Sequence, residues 1–438
     1  MKVLLVASTP YREDGSLLKQ SRLWLPGLTL PQIAALTPGD VEVELINETI
    51  EDIPWETDAN LVGISGMGVG LFRALQIADK FRYRGKKVIM GGIMATLAHK
   101  LCMEHCDSIV LGEAEGIWPQ VIHDAIKGRL KRAYRANKLD DLSDLPPPRF
   151  DLMPKKKLGF WLPVQAGRGC PHHCDFCSIT SFYGGVYRTR PIDQIARDVE
   201  AILKMGVRKI LLLDDNIGAD PHFAADLFRM LRDYRIQWMT QCSLTIAKNP
   251  NLLKLAAESG CACISFGLET TKQSNLRTVN KSFVKVNEYE GAIKEIRRFG
   301  IDVSTEMMLG MDDDDLSVFE ETIDFLVRNR ISVPRLHIIT PIPGTPLYDR
   351  WKAEGRILDD DLSRYTGGNV VFHPKRMTAA QLQEQYWLTY EKLFRLTAIF
   401  KRFFLKKKIK GFLIPLFLLG ANFHYRRHIH QRICPGIV

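Results

Sequence analysis

The chain lacks the features that would place it across a membrane or outside the cell. Residues 1–9 do not read as a secretion signal. The one strongly apolar stretch near the end, residues 411–421, is eleven residues long and broken by Pro415, against the roughly 20 needed to cross a bilayer. The nine cysteines are an odd number without disulfide-like spacing, so a reducing cytoplasm is expected rather than a disulfide scaffold. There is no internal repeat and no low-complexity run beyond the four aspartates at 312–315. Acid is missing from the tail: residues 401–438 carry nine Lys or Arg and no Asp or Glu. The first 400 residues hold 51 basic and 50 acidic groups, so the tail supplies +9 of the net charge of +10. With 46% hydrophobic and 25% charged residues, the 438-residue chain is long enough for two cored domains and an appendage.

What is present first is alternation. Apolar or alternating runs at 3–7, 41–46, 61–65, 87–92 and 108–112 read as strands, with helical patterns at 71–82 and 116–126 between them. Strands ending in glycine and followed by helices predict a doubly wound parallel sheet over residues 1–138, with its ligand crevice at the strand C-termini. Residues 139–160, with Pro146, Pro147 and Pro148, form a stiff linker. Alternation then resumes, with strands expected at or before Gly167 and at 209–213, 238–243, 263–268, 302–309 and 335–340. Six such units predict a partial (β/α)6 barrel over 161–360, with its site at the strand C-termini and a cysteine loop after the first strand. Residues 361–438 form a helical extension, in which 377–400 reads as one amphipathic helix with Leu382, Tyr386, Tyr390, Leu393 and Leu396 on a stripe.

Cys170, Cys174 and Cys177 stand in C-x3-C-x2-C spacing directly after the glycine-bearing run 166–169. Three thiolates held this closely cannot complete a four-ligand shell, so one metal position is left open. Structural zinc with His172 or His173 as fourth ligand is a second reading of the same residues. The other six cysteines read as core thiols; Cys102 and Cys106 share a helical spacing but have no evident third ligand.

The triplet, the following Asp175–Ile179 run and the segment 182–191 resemble the radical SAM enzymes. That resemblance implies a 4Fe-4S cluster on the three cysteines, with S-adenosylmethionine chelated at the fourth iron. It further implies that Asp214, Asp215 and Asn216, at the end of the second barrel strand, grip the methionine ammonium; helix capping ahead of Pro221 is the structural alternative. Glu269 matches the family's strand-end glutamate in a G-x-E setting. Gln241 and Ser243 on the third strand are weaker cofactor candidates, and Glu306 and Met308 on the fifth could line the cavity. Residues 340–347 look like the family's closing segment, with prolines that fix a turn.

The first 138 residues resemble the cobalamin-binding domain that precedes many radical SAM domains. Ser65, Gly91, Gly92, Gly112 and Glu113 carry this likeness, glycine at a strand end permitting close approach of a flat ring or nucleotide tail. The D-x-H-x2-G motif that supplies a lower cobalt ligand is missing, and His99, His105 and His123 lie outside any such setting. Cobalamin held without a protein ligand to cobalt, or a domain that has lost the cofactor, are the two outcomes.

The resemblance implies methylation of an unactivated carbon of a hydrophobic substrate through a 5'-deoxyadenosyl radical, with a flavodoxin- or ferredoxin-type electron donor. A radical SAM cyclase or carbon–carbon coupling enzyme acting on a lipid or tetrapyrrole is the alternative, and a non-catalytic membrane-docking metal protein is a third. Segments 369–372, 377–378 and 381–390 resemble the extension of hopanoid-methylating enzymes and of relatives acting on tetraether lipids. Basic residues flanking the short apolar segment suit an anionic membrane surface on the inner face of the cell membrane; a packed final helix is the plainer reading. No nucleic acid partner is expected.

Overall fold

The computed structural model describes residues 1–12, 14–66, 68–136, 139–403 and 413–435, with only the backbone for 413–415. Its packing divides the chain into two units: residues 1–165, 181–184 and 188–207 form the first, and residues 166–180, 185–187 and 208–438 the second.

In the first unit, six strands form one sheet: β1 (Lys2–Ala7), β2 (Glu42–Asn47), β3 (Leu61–Ser65), β4 (Lys87–Gly91), β5 (Ser108–Leu111) and β6 (Ala133–Arg135). Every adjacent pair is parallel, in the order β2-β1-β3-β4-β5-β6. Val3, Leu4, Leu5 and Val6 are all buried, as an apolar run covered on both faces of a parallel sheet should be. The connecting helices are α1 (Thr29–Leu36), α2 (Leu71–Tyr83), α3 (Ile93–Leu97), α4 (His99–His105) and α5 (Trp118–Ile126). On α2 the buried residues Ala74, Ile77, Ala78 and Phe81 fall at helical spacing. Cys102 and Cys106 are core groups: both are buried, the Cys106 thiol donates to the Cys102 carbonyl (3.1 Å), and burial pushes the Cys102 thiol up to about 12.

The chain continues through β7 (Leu162–Val164), β8 (Gly167–Arg168), α6 (Ser178–Tyr183), β9 (Arg188–Thr189) and α7 (Ile192–Lys204). In the second unit, β10 (Lys209–Leu212), β11 (Gln237–Cys242), β12 (Cys261–Glu269), β13 (Asp302–Leu309) and β14 (Val333–Ile338) lie side by side in sequence order, all parallel. Sequential parallel strands alternating with helices are the wall of a (β/α) barrel. The helices are α8 (Pro221–Asp233), α9 (Pro250–Glu258), α10 (Gln273–Thr278), α11 (Tyr289–Arg298), α12 (Val318–Arg328) and α13 (Pro346–Ala353). Residues 265, 267, 306, 308, 335 and 337 alternate with buried neighbours and keep part of their surface exposed. They form the second face of the sheet, as the two-residue period of a strand requires.

The C-terminal extension closes the edge of this sheet. α14 (Ala379–Leu393) opens with a capping box: Thr378 Oγ1 accepts from Gln381 N–H (3.1 Å) and Gln381 Oε1 from Thr378 N–H (2.8 Å). Tyr390 Oη accepts the Leu336 N–H (2.7 Å) and donates to the Leu336 carbonyl (2.8 Å), where Tyr386 donates as well (3.2 Å). Two tyrosines thus satisfy backbone groups that the edge strand β14 would otherwise leave open. The single long helix expected over 377–400 is in fact two, because the chain turns at Phe394 before α15 (Leu396–Phe403); Leu396, expected on the buried stripe, is 47% exposed.

α16 (Leu413–His430) packs against α14, α15 and β14. Arg402, counted by sequence among the basic tail residues, is fully buried and is a clamp. Its guanidinium donates to the carbonyls of Ile331 (3.0 Å), Ser332 (3.2 Å) and Leu393 (2.9 Å) and to Asn422 Oδ1 (3.1 Å). Removing it strands several buried acceptors at once, so Arg402→Ala is expected to cost about 3 kcal/mol or more, read as a fall in Tm with loss of tail protection in hydrogen exchange. Among the described residues no helix is long and apolar enough to cross a membrane. The basic run at 404–410 lies outside the described residues.

Candidate active site

The cysteine loop leaves β8 and is held by the residues that directly follow β10. Asp214 Oδ1 accepts the N–H groups of Ala166 (2.9 Å) and Gly167 (2.8 Å), and Asp215 Oδ2 accepts that of Gly169 (2.7 Å). Asn216 bridges sideways: its Nδ2 donates to Cys170 Sγ (3.6 Å), while its Oδ1 accepts from Ser243 N–H (2.9 Å) and the Cys242 thiol (3.4 Å). The three residues expected to grip the methionine ammonium therefore have a prior task, which is to set the backbone that presents the cysteines. Asp214 is fully buried, and burial pushes the Asp215 carboxyl up to about 6 against the pull of Gly169 N–H and Arg168. Capping before Pro221 falls instead to Asp220, which accepts from His222 and Phe223 N–H (both 3.0 Å).

The outer side of the loop is pinned as well. Asp175 N–H donates to the Val279 carbonyl (3.1 Å), Arg350 pairs with Asp175 (2.6 Å), and Leu347 N–H donates to the Asp175 carbonyl (3.0 Å). This gives the proline-rich closing segment its use: Thr345 caps α13, whose first turn holds the cysteine loop. His172 stacks on Phe283 with ring centroids 3.5 Å apart, and the His173 ring packs where a side chain on Gly185 would sit, 2.2 Å from an added Cβ. Both histidines are packing groups of the loop, which leaves the zinc reading without a fourth ligand from them.

Glu269 ends β12 with φ +66, a left-handed conformation rare for a non-glycine residue, at an irregularity in the pairing with β13. Its Oε1 pairs with Lys281 Nζ (2.5 Å), which also donates to the Gly267 carbonyl (2.8 Å). Its Oε2 is buried and has no hydrogen-bond partner among the described residues. Such an orphaned acceptor is costly unless a ligand donor meets it. Lys281, which sequence reading missed, lies near the cluster cysteines: burial disfavours its ammonium, but Glu269 and the Cys174 sulfur outweigh this and raise its pKa. Only the placement of a loop lysine after α10 reveals it.

Of the weaker candidates, Ser243 is occupied as the cap of the 3-10 turn Leu244–Lys248, accepting from Thr245 N–H (3.4 Å). Gln241 is exposed on β11, level with Ser265 of β12. Glu306 pairs with Arg335 and with His337 Nε2 (2.9 Å). Burial raises the Glu306 carboxyl, but its two cationic neighbours hold it at about 2; burial lowers His337, but Cys434 and Glu306 outweigh it and bring it to about 10. The folded chain therefore keeps the His337 proton to about pH 10, whereas an unfolded histidine releases it near 6.5. That stabilisation is complete below pH 6.5 and is lost as pH rises toward 10, on the order of a few kcal/mol. Tm measured across this window is expected to fall, and His337→Asn is expected to flatten the slope.

In the first unit the strand order reverses between β1 and β3, the position at which an open α/β sheet forms its ligand crevice. Ser65 and Gly91 are register partners at that C-terminal edge. Gly92 has φ +99, and an added Cβ would fall 3.2 Å from Ser65 Oγ; Gly112 has φ +89 and accepts no side chain without meeting Ala136 at 3.0 Å. Gly66 and Gly70, missed in the sequence, leave even less room, 2.9 Å from Ala74 Cβ and 2.8 Å from Ser8 Oγ. Glu113, expected among the cofactor-binding residues, also has a structural use. Both oxygens accept from Arg188 (2.8 Å each), and Oε2 also accepts from Asp140 N–H (2.8 Å). It ties the loop after β5 to the linker. His99 Nδ1 faces the Thr96 carbonyl (3.2 Å), and His105 pairs with Asp79 (2.8 Å).

Residues 164–326 match the Radical SAM superfamily. The chain carries a radical SAM domain. It is an enzyme, and a 4Fe-4S cluster and S-adenosylmethionine are the cofactors of that domain. Residues 345–410 match a domain of unknown function, DUF4070. The bacteriochlorophyllide d C-12(1)-methyltransferase of Chlorobaculum tepidum is 29% identical over 86% of this chain and 84% of its own length. The hopanoid C-2 methylase of Rhodopseudomonas palustris is 26% identical over 77% of this chain and 66% of its own. Among solved structures, the radical S-adenosylmethionine methyltransferase TsrM of Kitasatospora setae, with cobalamin and a 4Fe-4S cluster bound, aligns with TM-score 0.64 at 16% identity, covering 88% of this chain and 85% of its own. The cobalamin-dependent radical enzyme OxsB, with aqua-cobalamin and S-adenosylmethionine bound, aligns at 0.70 and 14% identity, over 98% of this chain and 71% of its own.

The residues of the radical SAM domain fit its cofactors. Cys174 is buried and Cys170 and Cys177 are half-buried, beside the Lys281 cation. Among the described residues no three His, Cys, Asp or Glu side chains converge on one ion; a cubane does not ask for that, since each thiolate takes its own iron.

Proposed function

We propose that the chain is a cobalamin-dependent radical SAM C-methyltransferase acting on a hydrophobic small molecule. Cys170, Cys174 and Cys177 hold the 4Fe-4S cluster, and Glu269 Oε2, Asp215 and Gln241 face the bound S-adenosylmethionine. Residues 1–138 hold cobalamin at Ser65, Gly91, Gly92 and Gly112, without a protein ligand to cobalt, and residues 161–360 carry the radical chemistry. Together these cofactors supply a carbon-centred radical and a methyl group to meet it. The protein's part is to fix the cysteine loop, to keep a cation beside the cluster, and to hold substrate in the lumen away from water. The observation that carries the reading is the cysteine loop pinned on both sides, beside a strained glutamate whose buried oxygen awaits a donor.

A lipid of the hopanoid kind and a tetrapyrrole are both within this substrate class, and the two methyltransferase relatives, one acting on bacteriochlorophyllide d and one on a hopanoid, support it equally. Attachment of the basic tail to an anionic membrane belongs to the same proposal and rests on composition. The test is anaerobic purification with added cobalamin. About one cobalamin retained per chain is expected and, once dithionite has reduced the reconstituted cluster, conversion of S-adenosylmethionine to methionine and 5'-deoxyadenosine. Gly92→Val, which puts a branched side chain at φ +99 against Ser65, is expected to lower retained cobalamin about tenfold. Cleavage of S-adenosylmethionine by correctly folded protein that refuses cobalamin would instead favour the ring-closing or coupling reading.

A further inference from the structure

The face of the second sheet that carries Glu306 has more on it than cofactor binding uses. Gly267, Glu306 and Arg335 are register partners across β12, β13 and β14, and Met308 and His337 form the next row toward the strand ends. Register partners on adjacent parallel strands share a face, so these groups look into one space. Arg335 pairs with Glu306 and donates from Nη2 to Ser265 Oγ (2.8 Å). His337 sits between Glu306 and the tail residue Cys434, whose Sγ is 3.8 Å from Nδ1, and Cys434 is held in turn by Tyr386 Oη (3.1 Å). Tyr425 of α16 lies beside Arg335.

Two observations mark this as a ligand chamber and not a closed salt-bridge network. Although packed around by three strands and the tail, Arg335, Glu306 and His337 still expose 21%, 26% and 27% of their side chains. The cluster is also unbalanced. Two cationic groups flank a single carboxylate, and Arg335 Nε has no hydrogen-bond partner among the described residues. An uncompensated cation in a poorly solvated space is costly and draws an anion. The half-exposed Met308 in the next row and Met239 on β11 give the rest of the wall an adaptable apolar character. At the other end of the Gly267 row, a Cβ on Gly267 would fall 2.3 Å from Glu269 Oε1 and 3.0 Å from Lys281 Nζ, so the row abuts the Glu269–Lys281 pair on the cofactor side.

The geometry points to a substrate-anchoring site in which Arg335, supported by Glu306 and His337, receives a carboxylate carried by an otherwise apolar substrate. This rests on the C-methylation reading above and names the substrate class for it: an amphiphile bearing an acid group, held two strands, or about 10 Å, from the Gly267 position. The C-terminal segment completes the anchor through Tyr425 and Cys434.

The experiment measures binding to the full chain of two probe pairs, a pyrene-labelled fatty acid with its methyl ester and protoporphyrin IX with its dimethyl ester, by fluorescence. In at least one pair the acid is expected to bind at least about tenfold tighter than the ester. Arg335→Met is expected to remove that preference, and Arg335→Lys to keep most of it. If Arg335→Met alone does not fold, Glu306→Gln combined with Arg335→Met removes both charges and is expected to give the same loss. Equal binding of acid and ester in both pairs, no binding of either acid, or a preference that survives in folded Arg335→Met would each overturn the anchor. Cleavage of S-adenosylmethionine by the wild type, assayed separately, reports on the parent reading, so the two failures are told apart.

Discussion

Cys174→Ala is expected to leave a folded chain that no longer cleaves S-adenosylmethionine, with activity down by about three orders of magnitude or more. Cys174 is buried, and trimming its thiol in the apoprotein removes little packing, about 1 kcal/mol. The loop around it is fixed by other groups: Asp214 and Asp215 on the strand side, Arg350 and Leu347 on the other. Two remaining cysteines do not retain a cubane, so iron is expected to fall from about four per chain toward zero. Iron content, absorbance and 5'-deoxyadenosine formation read the result, with Tm of the apoproteins as the control for folding. Cys102→Ala, which removes a core thiol far from the loop in sequence, is the comparison that is expected to keep iron.

The second large effect is structural. Asp214 is fully buried and accepts two backbone N–H groups with one oxygen. Hydrogen bonds to a charged acceptor are worth about 1.5–3 kcal/mol each, so Asp214→Ala is expected to cost about 3 kcal/mol or more. In a unit of this size that corresponds to a Tm lower by about 6–12 °C. The same change frees the backbone that leads into Cys170, so cluster content is expected to drop even in protein that remains folded. Asp215→Ala removes one bond, to Gly169, and is expected to show the smaller version of both effects. Equal iron occupancy in wild type and Asp214→Ala would mean that the loop does not need this support.

Much of this was legible in the sequence because its signals are local. Strand-end glycines and apolar runs marked β1, β3, β4 and β5, and the C-x3-C-x2-C spacing marked the cysteine loop. The short helices α3 and α4 were missed because neither spans enough turns to show a period. The turn at Phe394 that divides the expected long helix has no glycine or proline to signal it. Site roles were harder, because a residue type states what a side chain offers and not what already engages it. Asp214 and Glu113 read as ligand groups, yet the folded chain uses the first to hold backbone and the second to hold Arg188. Arg402 read as a solvated tail cation and is buried, since nothing in a run of basic residues distinguishes the one whose neighbours are free carbonyls. Lys281, Arg335 and His337 stood unmarked because the contacts that define them come from strands and loops far away in the chain.

The most direct test of the central claim is electron paramagnetic resonance on anaerobically reconstituted, dithionite-reduced protein, with and without S-adenosylmethionine. A reduced 4Fe-4S signal whose g-values shift on adding S-adenosylmethionine, and which is absent from Cys174→Ala, is the predicted result. A protein that builds no such cluster, or a cluster whose spectrum is indifferent to S-adenosylmethionine, would contradict the account.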